Sequence, residues 1–382
     1  MVGALTGTVS HVLLAGGGHA HAVALRRLSE KPAGGSLQLT VVNPATHNMY
    51  SGALPGVIAG HWPADAIGVD IRALCEAAGA TFRQDALAGI DPDGRKARLA
   101  SGEMVSFDLL SLDIGSLIRP LSIPDPDGLI VPIRPIGDFL TRWETALSDM
   151  QSGRAPPVVM VIGAGLAGIE VCLAIRYRLS QDLPQPAKVF LIDAQSSIAA
   201  TSHPALRRRL HRALQRAGVT CLTETRLESC KSGTVTLSDG QSVEVVLIVN
   251  CAGSAPHAWI AETGLNTVNG RVEVDECLRS TSHPDIWAAG DTSYFRAHPL
   301  EPAGVFAVRA GPVIAENITR FARGEPLSAF HPQSDYLKLV SLGRRRAIAE
   351  KFGITLEAGW VWKLKKSIDF SFLRAHDFSA RH

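Results

Sequence analysis

The sequence predicts an α/β fold made of two Rossmann-like dinucleotide-binding domains and a small C-terminal region. Three observations predict it. A continuous apolar run breaks into a glycine turn and then a helical pattern twice, near residue 16 and near residue 163. Each time a further apolar run follows, ending on Asn43 or on Asp193. Two more apolar segments, residues 107–116 (FDLLSLDIGS) and 245–254 (VVLIVNCAGS), read alike and lie downstream of one turn each.

In chain order, residues 11–15 (HVLLA) read as a short buried strand, residues 16–18 as a turn and residues 20–28 as a helix. Residues 37–42 (LQLTVV) are the next strand, which closes a βαβ unit. Residues 151–157 (QSGRAPP) read as a linker into the second unit. There Val158–Ile162 is a strand, residues 163–168 a turn, residues 169–179 a helix and Lys188–Ile192 a strand. A repeat distance near half the chain is too long for a solenoid and fits two domains. From about Phe330 the sequence is richer in Lys, Arg and Trp and forms a third region.

Bulk properties narrow the function. A chain of 382 residues has room for two to three domains. A net charge of +2 supplies no field for nucleic acid. The six cysteines form no CxxC or CxxxxC pair, which argues against a zinc knuckle and a local dithiol; they read as buried or incidental thiols in a reducing compartment. The N-terminal residues lack the basic start and long apolar run of a secretory signal, and no window resembles a spanning helix. The expected location is cytoplasmic, with peripheral attachment to the inner face of a membrane left open.

The second turn carries the stronger chemistry. Gly163-Ala164-Gly165-Leu166-Ala167-Gly168 is a full GxGxxG between strand and helix. Gly163 permits the tight turn, Gly165 lets a pyrophosphate approach the backbone at the helix N-terminus, and Gly168 lets helix and strand pack closely. Asp193 can accept from a ribose 2′-OH and would repel a 2′-phosphate, so NADH is expected over NADPH. The first turn, Gly16-Gly17-Gly18-His19-Ala20-His21, keeps two key glycines and replaces the third by His21. A side chain this large should push the helix off its strand or point outward. Residues 286–291 (IWAAGD) add a strand that runs into Gly290 and an exposed acid, Asp291.

Together these pieces resemble the pyridine nucleotide-disulfide oxidoreductases and type II NADH dehydrogenases. The order is the family's: first glycine turn, DIGS strand, inserted second domain, CAGS strand, then AAGD. A closer likeness is to the NADH dehydrogenase-like flavoproteins found fused to selenide, water dikinase. It rests on GGGHAH, on residues 50–56 (YSGALPG) and on residues 304–309 (GVFAVR). The resemblance implies FAD at the first turn and NADH at the second. It divides the chain into a first FAD part (1–150), an NAD(H) domain (151–272), a second FAD part (273–329) and a C-terminal region (330–382).

By position, the resemblance assigns Gly16, Gly17, Gly18, His19 and Ala20 to the FAD pyrophosphate turn and Asn43 to the ribose. Ser51 and Pro55 fall in the segment lining the isoalloxazine. Gly115, Gly290, Asp291, Gly304, Val305 and Phe306 complete the FAD set. Gly163, Gly165, Leu166, Gly168, Asp193 and Gly253 form the NAD set. Glu170 matches an acid that lies near nicotinamide and flavin in type II dehydrogenases; read by itself it is a solvated first-turn residue favoured by the helix dipole. His19, His21 and His47 read as polar residues packed near the nucleotides, not as a metal site.

Two departures matter. No cysteine lies between Asn43 and Ala73, where disulfide reductases carry their reactive pair. Both glutamines of the type II AQxAxQ-like segment are missing from residues 303–309 (AGVFAVR). The leading expectation is an FAD-dependent dehydrogenase passing electrons from NADH to a quinone or other small acceptor. The alternatives are a reductase of a sulfur or selenium compound or of a redox protein, and a non-enzymatic flavin- or NADH-binding sensor. In the tail, Val361, Leu364, Ile368 and Phe372 recur at helical spacing beside Trp360, Trp362, Lys363 and Lys366. That pattern suits either a membrane surface or a helix packed on the first domain or in a homodimer contact.

Overall fold

The computed structural model describes residues 10–33, 37–299 and 301–378. In chain order the elements that position the sites begin with β1 (Ser10–Ala15), α1 (His19–Glu30), β2 (Leu37–Asn43), β3 (Thr81–Gln84) and β4 (Leu109–Leu112). They continue with β5 (Ile130–Pro132), β6 (Val158–Ile162), α2 (Leu166–Asp182), β7 (Lys188–Ile192), α3 (Pro204–Ala217), β8 (Thr220–Leu222) and β9 (Leu247–Asn250). After these come β10 (Ile286–Ala288), α4 (Gly304–Ala322), β11 (Lys338–Leu342), β12 (Arg344–Lys351), β13 (Ile354–Ala358) and α5 (Gly359–Ala375).

Strands that are apolar on both faces are stable only when both faces are covered, as in parallel sheets with crossover helices. Two such sheets form. The first has the order β10-β4-β1-β2-β3, the second β5-β9-β6-β7-β8, and all their pairings are parallel. The two orders superpose strand for strand. They differ in one connection: the outer strand beside β4 comes from far downstream, whereas its counterpart beside β9 comes from upstream. Val12, Leu13 and Leu14 of β1 and Val159, Met160 and Val161 of β6 are fully buried.

Helices α1 and α4 lie side by side on the first sheet. They come close at Gly311, where an added Cβ would sit 2.5 Å from Val23 Cβ and 2.7 Å from Ala20 O. Only a residue without a side chain lets the backbones come this near.

The C-terminal region is an antiparallel sheet, β11-β12-β13, with α5 laid across one face. Val361 and Trp362 cover Ala347, Ala349 and Ala358 on that face. Thr355 and Glu357 are held by Arg209 and Arg216 of α3, each at 2.8 Å. Residues 359–375 are helical, but the apolar stripe expected there divides. Val361 is buried and Phe372 stacks on Tyr50 at 4.7 Å, while Leu364 and Ile368 are exposed together with Trp360. Trp362, expected at a membrane interface, is buried. A helical period shows that a stripe exists, not which side another element covers.

Candidate functional site

The two glycine turns are built alike. Gly16 and Gly163 both take positive φ (90° and 97°), and each donates its N–H to the strand beyond the helix, to Val42 O at 2.8 Å and Ile192 O at 2.9 Å. The next N–H in each turn goes to the residue ending that strand. Gly17 N donates to Asn43 Oδ1 at 2.8 Å and Ala164 N to Asp193 Oδ2 at 2.5 Å. Asn43 and Asp193 are therefore structural counterparts, yet their remaining capacity differs. Asn43 Nδ2 is spent on Ala45 O and Asn48 Oδ1, whereas Asp193 is an acceptor on both oxygens, and its Oδ1 accepts from Gln195 N.

At the second turn the N-terminus of α2 is open. Gly165 is exposed, no side chain caps the helix, and a Cβ added to Gly165 would meet nothing within 4 Å. Leu166 is half-buried beside it. A Cβ on Gly168 would fall 1.9 Å from Gly163 O, so this glycine is required for the packing. These residues fit a dinucleotide pyrophosphate with Asp193 at the ribose.

The first turn corrects one expectation. His21 neither displaces the helix nor points outward: it is 0% exposed. Its Nδ1 pairs with Gly16 O at 2.6 Å and its Nε2 with Ser111 Oγ at 2.8 Å. The ring fills the space between α1 and β4, and both nitrogens find partners there. Burial pulls its pKa down to about 4 against the pull of the Gly16 carbonyl, so the ring is neutral.

A second departure went unread in the sequence. Asp113, the first residue past β4, sends its carboxylate to the N-terminus of α1, where Oδ2 accepts from Ala20 N at 2.7 Å and His21 N at 3.0 Å. Burial raises its pKa to about 6 despite those two bonds. The signal was present in FDLLSLDIGS, where an acid interrupts an apolar run just before a glycine. His19, at the start of α1, is partly buried, and burial lowers its pKa.

Around this turn the structure gathers most of the expected flavin residues. Gly290 faces Asp113 and Ala307, the latter in the first turn of α4, which opens with Gly304, Val305 and Phe306. Asp291 accepts from Ser116 Oγ at 2.9 Å and Arg134 Nη1 at 3.3 Å. Gly115 O accepts from Thr292 Oγ1. A two-stranded ribbon, Leu117–Ile118 against Ser254–Ala255, then ties the turn at Gly115 to the turn at Gly253. The ribbon thus joins the segments that follow β4 and β9, one from each sheet.

Segment 50–56 closes the site from the other side. Pro55 is buried in the short helix Leu54–Ile58, and Ser51 opens the turn before it. Helix α5 grips this segment: Lys365 Nζ donates to Gly52 O at 2.6 Å and pairs with Asp369 at 2.9 Å, and Tyr50 donates to Asp369 Oδ1 at 3.3 Å. Glu170 joins from α2. It is not a solvated helix residue: it is mostly buried and Oε1 accepts from Ser341 N at 2.6 Å. Burial raises its pKa, and the nearby Lys365 ammonium offsets part of that rise. Burial opposes the charge on Lys365, but Glu170 and Asp369 outweigh it and lift its pKa. Burial also pushes the Tyr50 hydroxyl up, helped by Asp369. Sequence reasoning could not have assembled this cluster, whose members lie on elements far apart in the chain.

The cysteines are free and spread through the fold, and burial raises the pKa of Cys75 and Cys251 to about 12. Among the described residues no cluster of His, Cys, Asp and Glu has the makings of a metal site, and His47 pairs with Asp70 at 3.4 Å. Among the same residues no helix is long and apolar enough to cross a membrane.

Two parallel sheets of one topology, each with a glycine turn at a helix N-terminus and joined through the two-stranded ribbon, define a fold with two dinucleotide-binding turns. The chain belongs to the pyridine nucleotide-disulphide oxidoreductase family, whose model matches residues 10–310. It is similar to NADH dehydrogenase-like proteins of two Mycobacterium tuberculosis strains, each 28% identical over 215 residues and covering 54% of this chain and 54% of the relative. The chain thus matches about half the length of those relatives. Among solved structures it is similar to the sulfide:quinone oxidoreductase of Aquifex aeolicus (TM-score 0.77, 16% identity, 97% of this chain and 92% of that one). It is also similar to the water-forming NADH oxidase of Lactobacillus brevis (TM-score 0.73, 22% identity, 89% and 74%). At these identities the likeness shows the fold.

Proposed function

We propose that the chain is an NADH dehydrogenase of the type II kind, which takes a hydride from NADH and delivers electrons to a quinone-like acceptor. The observation that carries the reading is the pair of glycine turns built alike on two sheets of one topology, with no cysteine in the segment that closes the first one. Bound FAD supplies the two-electron chemistry. The open N-terminus of α2 and Asp193 hold NADH. The first turn, Gly290, Asp291 and the start of α4 hold FAD, and segment 50–56 lines its ring. Glu170, whose pKa burial raises, is the group that exchanges a proton on the side of segment 50–56 that α5 covers, and the Lys365 ammonium stays charged near it.

An acceptor dissolved in a membrane suits the surface of the C-terminal region. Trp360 (57% exposed), Leu364 and Ile368 line one side of α5, and Phe352, Ile354 (78%) and Leu356 project from the hairpin beside it. Lys351, Lys363 and Lys366 accompany them, the arrangement favoured at an anionic lipid surface. This supports peripheral contact with the cytoplasmic face of a membrane. Anaerobic NADH should bleach the flavin of purified protein. A short-chain quinone should then restore its colour faster than a persulfide, oxygen or a ferredoxin does. Rapid recovery with a persulfide and none with quinone would overturn the acceptor assignment.

A further inference from the structure

Helix α1 gives its free amides to a carboxylate of its own chain. Besides its bonds to Ala20 N and His21 N, the Asp113 carboxylate lies against Gly18 and Gly290: a Cβ added to Gly18 would fall 2.4 Å from either oxygen, and one on Gly290 2.9 Å from Oδ1. A pyrophosphate held by the first turn seeks these same amides. The second turn provides an internal comparison. Asp113 N donates to Ala15 O and Cys251 N to Ile162 O, so Cys251 occupies the equivalent position. No side chain there caps α2, and its amides stay open. One chain carries the same device twice, once with an internal anion and once without.

We propose that FAD binding at the first turn is coupled to proton uptake by Asp113, so that the site holds FAD tightly when Asp113 is protonated and weakly when it is ionised. This rests on the assignment of FAD to that turn. The groups that act on Asp113 are His19 and the Ala20 and His21 N–H groups on α1 and Asp291 after β10, while Arg134 acts on His19 and Asp291. Burial lowers the pKa of both histidines, so neither ring supplies a cation near neutral pH. Asp291 adds a second carboxylate, and Arg134 is bonded to Asp291 and Ser116. Two negative charges of a diphosphate therefore meet two carboxylates and one guanidinium. A proton from solvent on Asp113 relieves the repulsion. One oxygen goes on accepting from Ala20 and His21, and the other becomes a donor toward a phosphate oxygen. Below about pH 6 Asp113 already carries the proton before FAD arrives, and affinity is flat. Above it, affinity falls by up to about tenfold per pH unit until the pH reaches the higher pKa of the complex.

The test dilutes FAD-loaded full-length protein between pH 5.5 and 8.5 and reads released flavin by its fluorescence. FAD is also titrated calorimetrically into the stripped chain at pH 7.5 in two buffers of different ionisation enthalpy, to count protons. The wild type should lose affinity as pH rises and take up close to one proton per FAD. Asp113→Asn should bind with little pH dependence, tighter than wild type at pH 8, and take up none. Wild-type binding that is independent of pH with no proton uptake overturns the inference alone, as does an equal slope in Asp113→Asn. Absence of FAD binding by the wild type at every pH overturns the flavin assignment and the inference with it. Should Asp113→Asn fail to fold, the wild-type proton count decides.

Discussion

Restoring the glycine that the GxGxxG pattern places at residue 21 should damage this protein. His21→Gly removes a ring that is fully buried and bonded through both nitrogens. Two lost hydrogen bonds cost about 1 kcal/mol each, and the exchange of a helix residue for glycine about 1 kcal/mol more. The emptied volume between α1 and β4 adds to that, so the variant should be about 3–4 kcal/mol less stable at pH 7.5. The histidine also ties stability to pH. Its folded pKa of about 4 lies below the ordinary 6.5, so the fold prefers the neutral ring. The stabilisation is complete above pH 6.5 and is lost as pH falls through 6.5 toward 4, by about 3 kcal/mol in all. The gap between wild type and variant should therefore shrink by about 2–3 kcal/mol between pH 7.5 and pH 4.5. Urea unfolding followed by tryptophan fluorescence at both pH values, with FAD in excess, measures it. A variant as stable as wild type at pH 7.5, or a gap that does not change with pH, would refute the reasoning.

Three further outcomes follow from the geometry. Lys365→Met leaves Glu170 and Asp369 without their buried cation and should cost about 3–5 kcal/mol, while adding Asp369→Leu should recover at least half of it; urea melts of both variants check this. Asp193→Ser removes the carboxylate set to repel a 2′-phosphate, and should narrow the preference for NADH over NADPH by about tenfold in stopped-flow bleaching of the flavin. A double change, Trp360→Glu with Ile368→Glu, should abolish cosedimentation with anionic vesicles at low salt while flavin bleaching by NADH persists. Unchanged cosedimentation would remove the membrane reading.

What could be read from the sequence was what is local. Val158–Ile162 and Lys188–Ile192 end where their apolar runs end, and both helices start at their glycine turns, because strand, turn and helix signals lie within a few residues of each other. His21 was misjudged because its partner Ser111 is on another strand, and a sequence does not say that a hole of imidazole shape awaits the ring. Lys365 was passed over among neighbouring lysines for the same reason: its carboxylates come from α2 and from one turn along its own helix. Asp113 alone was legible and missed, since it ends a buried strand as Asp193 does.

The crossed connection in the first sheet bears on how the chain is made. Leaving the ribosome, β1 to β4 emerge first, yet β4 has no neighbour for its outer edge until residue 288 has been synthesised, because β10 is that neighbour. The second sheet suffers no such delay, since β5 precedes all its partners. During that interval a fully buried strand of the finished enzyme presents an open, apolar edge, the kind of surface that other nascent chains pair with. Gly290, Asp291 and α4 emerge only afterwards. A chain stalled before residue 286 therefore holds every strand of the second sheet but lacks the outer strand of the first.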